Sequence, residues 1–317
     1  MGSFYTVFKK ELQDHFNSWQ VIFAFLVVLL PSIYYIWLAA GKIKSVVSAS
    51  SYFAFIPLYT TSVADMDFLP TTFLTLIAFL LPLVGIALGM DAINSEKNNG
   101  TLSRLISQPI YRDNIINAKF FAGVAVIVVL MTTAILLTTG MAINLIGVPP
   151  TAEEAWRLLF FLIVSIIYGA FWLGLAILMS TLFKQVAVSA VVCLAAWLVF
   201  ALFFNLVISM LLNSIDPNTA INDAARQINV YLNISRISPV QLFQESMGMI
   251  LAPESRTVSQ MLTLVTSDAY NFAVNTPLSL SQSLLSVWPQ IMITILLTII
   301  CFALSYIKFM REEIRAT

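Results

Sequence analysis

Asp91–Lys119, DAINSEKNNGTLSRLISQPIYRDNIINAK, is polar and charged, yet it separates two long apolar runs, Phe68 to Met90 and Phe120 to Val148. Asp91, Glu96, Lys97, Arg104, Arg112, Asp113 and Lys119 carry charge within it, whereas the runs on either side carry none. Such a stretch needs water and a partner, and the chain around it is built for lipid.

Composition supports that division. Of 317 residues, 59% are hydrophobic and 10% charged, far from the quarter-charged make-up of a soluble domain. The 16 basic and 16 acidic residues cancel, so no global field favours nucleic acid or an acidic substrate. Cys193 and Cys301 lie inside apolar runs and read as small buried residues rather than a disulfide or zinc framework. The lone His15 cannot assemble a metal cluster, and no metal site is expected.

Six runs are long and apolar enough to cross a hydrocarbon core of about 30 Å as helices of about 20 residues. They are Trp19 to Ala40, Phe68 to Met90, Phe120 to Val148, Leu158 to Phe183, Val186 to Leu212 and Ser286 to Ile307. In lipid each span must satisfy its own backbone hydrogen bonds, and no ten-residue alternation suggests a barrel, so helices are predicted. The first run is too long for a signal h-region and is expected to remain as a span. Pro31, Pro70, Pro82 and Pro289 are placed to kink or start spans. Gly85 and Gly89 form a G-x-x-x-G that permits close helix approach, read as packing within the chain.

Before the first span, Phe4, Phe8, Leu12 and Phe16 recur at four-residue steps opposite Lys9, Lys10, Gln13, Asp14 and Asn17. Residues 1–18 are therefore expected to form an amphipathic helix in the headgroup plane. Counting charge on the two sides of a six-span layout gives ten basic against seven acidic residues on the side with both termini and 91–119, and six against nine on the other. By the positive-inside rule both termini and the charged stretch are cytoplasmic, in a multi-pass protein of the cell membrane.

The opposite side holds one large segment, 213–285. Its stretches INDAARQINVYLNIS and SPVQLFQESMGMILA are each suited to a short helix, and together they suggest a helical cap on the mouth of the bundle. Met247 and Met249 are soft-metal donors in principle, but two methionines in an apolar segment read as core. The domain reading is thus 1–18 interfacial helix, 19–212 spans one to five with the 91–119 loop, 213–285 outer segment, and 286–317 sixth span and tail.

No G-x-x-x-x-G-K-[ST] loop, nucleophile elbow or HExxH pair is present, and the spans carry no charge away from their ends, which disfavours an enzyme or a proton-coupled carrier. Within 91–119, Asn99-Gly100 signals a turn and Thr101 a cap. Leu102, Leu105 and Ile106 then share one face of a short helix that ends before Pro109. So short a helix is marginal alone, and its apolar face suits docking in a groove of another protein. Glu96 and Arg104 would form its charged rim.

These residues resemble a family. Glu96 followed by Gly100-Thr101-Leu102, the S-x-P of Ser107 to Pro109, Arg112 and Lys119 look like the cytoplasmic signature of ABC type-2 exporter permeases. The six-span layout, the Lys10-Glu11-Leu12 of the amphipathic start and the large outer segment extend the likeness over essentially the whole chain. It is similar to the group serving copper-site maturation of nitrous oxide reductase. The resemblance implies an all-α polytopic membrane fold and a half-transporter that binds no cofactor itself. Two permeases, identical or paralogous, would form the path. Separate cytoplasmic ATPase subunits would bind ATP and Mg, and would dock on a coupling helix at Thr101 to Ser107, with Lys184 in the 181–185 turn as a lesser contact. The alternatives are a non-transporting scaffold or sensor whose outer segment binds a partner, and an ATP-independent carrier.

Overall fold

A computed structural model describes residues 2–46, 55–63, 70–98, 100, 111–147, 149–204, 206–207, 210, 234–251 and 278–311. Among them every extended element is a helix, and six are long and apolar enough to cross a membrane. In order they are α1 (Gly2–Asn17), α2 (Trp19–Val46), α3 (Pro57–Thr60), α4 (Phe73–Gly89), α5 (Asn94–Asn98), α6 (Arg112–Ile146), α7 (Ala152–Leu182), α8 (Val186–Leu198), α9 (Pro239–Leu251) and α10 (Leu280–Arg311). A π-helical turn, Val199–Phe203, continues α8, and the Phe204 N–H donates to Val199 O.

Local chemistry sets the ends. Thr72 and Thr151 cap α4 and α7 by accepting from the N–H three residues on, and Thr75 and Glu154 return the bond. Gly147 closes α6 at φ 81°, a conformation glycine adopts without strain. The third span begins at Arg112, not Phe120, and so takes in part of the 91–119 loop. Lys119 interrupts the apolar run but not the helix, because its charge is matched inside the protein, as described below.

The bundle is organised on α4 and α7, the most buried spans. Gly85 and Gly89 let them touch: a Cβ on Gly89 would lie 2.7 Å from Ala176 Cβ, and one on Gly85 2.9 Å from Trp172 Cβ. Pro82 lies inside α4 and has no N–H to donate to Ala78 O, one turn earlier. The Tyr168 hydroxyl donates to that carbonyl at 3.0 Å, satisfying within the protein a group that lipid could not. α2, α8 and α10 instead turn large apolar side chains outward, among them Phe23, Leu30, Val191 and Leu296.

The stretch SPVQLFQESMGMILA contains α9, as its pattern suggests, while 221–233 lie outside the described residues. α9 reaches deeper than a cap would. Its Phe243 ring stacks on Tyr168 at 4.3 Å, and Ser238 Oγ donates to Phe200 O at 3.3 Å. Tyr168 and Phe200 each stand about 21 Å along their helices from the Phe183–Gln185 turn, at 1.5 Å per residue. The start of α9 is thus about two-thirds of the way across the apolar zone. Its end, where Ile250 O accepts from Arg157 Nη1 at 2.7 Å, rises to the far pole. Met247 and Met249 are buried in the apolar core.

At the far pole one buried residue gathers three segments. Arg157, fully buried, donates to Ile250 O, to Leu278 O at 2.7 Å and to Glu153 Oε1 at 2.7 Å. Beside it the buried Glu154 accepts from the Phe55 N–H at 2.8 Å, holding the segment before α3.

Candidate coupling site

At the pole of the charged stretch, three residues far apart in sequence meet. Lys119 Nζ donates to Glu11 Oε2 at 2.9 Å and to Glu96 Oε1 at 2.8 Å, and the Lys119 side chain is only 7% exposed. The ammonium therefore joins α1, α5 and the first turns of α6. A cation so far removed from water is tolerated only when paired and hydrogen-bonded, and two carboxylates supply both. Lys10 Nζ adds a third cation–carboxylate contact, 3.1 Å from Glu11 Oε1.

α1 is the element that this cluster explains. Its inward stripe is Val7 and Glu11, buried, with Phe4, Phe8 and His15 half-buried beside them. Phe4 and Phe8 stack at 6.1 Å, and Phe4 meets Phe121 of α6 edge-on at 6.4 Å. Leu12 packs against the core from one side, whereas Phe16 is exposed. Burial alone would raise the Glu11 carboxyl, but the Lys119 and Lys10 ammonium groups outweigh it and hold that carboxyl below its ordinary value. Burial lowers the His15 imidazole, assisted by the Lys119 charge and opposed by Glu11.

α5 is fastened to the fourth span from the other side. Ser180 Oγ, near the end of α7, accepts from the N–H groups of Ile93 at 2.9 Å and Asn94 at 3.2 Å. Asn98 Nδ2 donates to Lys184 O at 3.1 Å, tying α5 to the Phe183–Gln185 turn. Gly100 follows at φ 67°, its N–H donating to Lys97 O, a turn that favours glycine. Arg112 opens α6 and is half-buried. Thr101, Leu102, Arg104, Leu105, Ile106 and Pro109 lie outside the described residues.

Glu96 differs from its expected place on a charged rim. Its carboxylate turns inward to Lys119, because that pairing neutralises a buried cation. Sequence reasoning placed Lys10, Glu11, Glu96 and Lys119 in motifs but did not join them, and it missed Ser180. The only local signal was a lysine inside an otherwise apolar helix with an acidic residue facing inward on an amphipathic one.

Lys119, Ser180 and the Lys184 carbonyl thus tie α5 to α1, to α6, to the end of α7 and to the turn before α8.

The model of the ABC-2 family transporter proteins matches residues 5–314. A probable ABC transporter permease protein NosY of Stutzerimonas stutzeri is 30% identical over 217 residues, 67% of this chain and 71% of that protein. Its namesake in Pseudomonas aeruginosa is 29% identical over 212 residues, 66% and 70% of the two chains. With its six apolar spans and these relatives, the chain belongs to the ABC-2 transporter family, as a multi-pass membrane permease whose partners include ABC ATPase subunits.

Proposed function

We propose that this chain is the membrane half of an exporter, two permeases forming the path and separate cytoplasmic ATPases driving it from the pole of α1 and α5. The resemblance to type-2 exporter permeases is what supports export rather than import. The observation that carries the reading is the Lys119 cluster. It locks the amphipathic start, the helix before Gly100 and the third span into one body, and residues 101–107, where a docked ATPase would push, fall between two of these elements in sequence. In this reading Leu102, Leu105 and Ile106 insert into a groove of the ATPase, and Lys184 makes a lesser contact. α1 lies along the cytoplasmic interface with Tyr5 and Phe16 toward the headgroups. ATP and Mg bind the partner, and nucleotide-driven closure of the ATPase pair moves the two coupling helices together.

The test is co-purification of the permease with the ATPase from native membranes, followed by ATP hydrolysis in lipid nanodiscs. Leu105→Asp should leave membrane insertion and yield unchanged and abolish the permease's effect on hydrolysis. Unchanged coupling in Leu105→Asp would show that the short helix is not the docking surface. A hydrolysis-dead ATPase that leaves cellular function intact would favour a scaffold.

A further inference from the structure

Arg236 and Glu245 form a bidentate ion pair in a position where lipid would not accept one. Arg236 Nε donates to Glu245 Oε2 at 3.0 Å, and Nη2 donates to Oε1 at 2.6 Å. Arg236 is two residues from Ser238, and Glu245 two from Phe243. Both are therefore at the level of Phe200 and Tyr168, about 21 Å from the charged pole and inside a hydrocarbon zone of about 30 Å. The Arg236 side chain is 34% exposed and that of Glu245 13%.

Charged groups at such depth face a protein interior or a water-filled cavity. The rest of α9 repeats the division. Leu242, Phe243, Met247 and Ile250 are buried in the bundle, while Gln241, Gln244, Glu245 and Gly248, at helical spacing, are partly exposed. The neighbouring π-helical turn presents Val199 and Phe203 outward, and π turns recur at functional sites. A polar stripe holding an ion pair thus runs beside an exposed apolar one.

We infer that the α9 stripe lines a hydrated part of the transport path, and that Arg236, held by Glu245, receives the anionic head of a solute whose apolar part lies on Val199 and Phe203. Glu245 engages Nε and one hydrogen of Nη2, which leaves Nη1 and the second Nη2 hydrogen to donate to an incoming oxyanion, the bidentate chemistry at which guanidinium excels.

The inference rests on the transport reading above, but its assay needs no ATP. In the complete complex in membranes, with Cys193→Ala and Cys301→Ala as background, Gln244→Cys is exposed to a membrane-impermeant thiosulfonate carrying a sulfonate. Val129→Cys, an exposed apolar position on α6 one residue beyond Ile127–Val128 and so level with Tyr168, is the reference. Gln244→Cys should react at least about tenfold faster. Dodecyl phosphate should slow that reaction about fivefold where dodecyl maltoside does not, and Arg236→Gln should remove the protection. Protection by the alkyl phosphate alone supports the amphiphile, and equal protection by inorganic phosphate would overturn the part given to Val199 and Phe203 while keeping the anion site. Reaction of Gln244→Cys as slow as that of Val129→Cys would overturn the hydrated path. Fast reaction without phosphate protection, or protection that survives Arg236→Gln, would overturn the anion site. Reactive Gln244→Cys with an uncoupled ATPase would contradict only the transport reading.

Discussion

Lys119 Nζ lies 2.9 Å from the carboxylate of Glu11, a residue 108 positions earlier in the chain. That contact turns a surface helix into part of the bundle, and it sets the first expectation. Lys119→Met leaves the Glu96 carboxylate without its cation and Glu11 with only the half-exposed Lys10, a change that costs on the order of 3–5 kcal/mol. The thermal midpoint in detergent should fall, and Lys119→Met with Glu11→Gln should recover part of the loss. A double variant no more stable than Lys119→Met would show that the two charges are not coupled.

Acid should loosen α1 in two stages. The His15 imidazole sits below its ordinary 6.5 in the folded chain, so unfolding takes up a proton below that pH and stability drops as pH falls past it. The Glu11 carboxyl sits below its ordinary 4.5, so the stability it supplies is complete above that pH and is lost as pH falls toward its folded value. Limited proteolysis of the N-terminal helix with an acid-active protease, across pH 7.5 to about 2.5, should show both stages. His15→Gln should remove the first alone.

The legibility of these features in the sequence was uneven, for physical reasons. Span number followed directly from apolar runs such as Trp19 to Ala40, because lipid forces each run to be a helix. The glycine pair in the second span was legible, because only small residues allow the backbone approach to Ala176. Lys119 was not, since a charge ends an apolar run whether or not carboxylates elsewhere neutralise it. The depth of α9 was hidden for a related reason: Gln241, Gln244 and Glu245 look like any solvated face, and only the stacking of Phe243 on Tyr168 reveals where that face lies.

Helix contact at Gly89 allows no side chain. With Ala176 Cβ 2.7 Å and Leu173 O 2.9 Å from the added Cβ, Gly89→Ala must separate α4 from α7, at about 1–3 kcal/mol. Gly140→Ala, which meets nothing within 4 Å, should be neutral or mildly stabilising. Thermal midpoints of the two variants decide this, and equal midpoints would argue against close packing at Gly89.

Arg157 should resist conservative exchange. It reaches Ile250 O and Leu278 O with one guanidinium while pairing with Glu153, a spread that a lysine ammonium cannot reproduce. Arg157→Lys and Arg157→Met should both increase protease cleavage between α9 and α10. Protection restored fully by lysine would show that charge alone matters there.

In the proposed mechanism the Lys119 cluster transmits ATPase motion across the membrane. Spin labels at the exposed Trp156 position of the two permeases, in the assembled complex, measure the far pole directly. ATP and Mg should change the label distance in the native protein, and Lys119→Met, still assembled and with ATP still hydrolysed, should lose that change. A distance change of native size in Lys119→Met would contradict it.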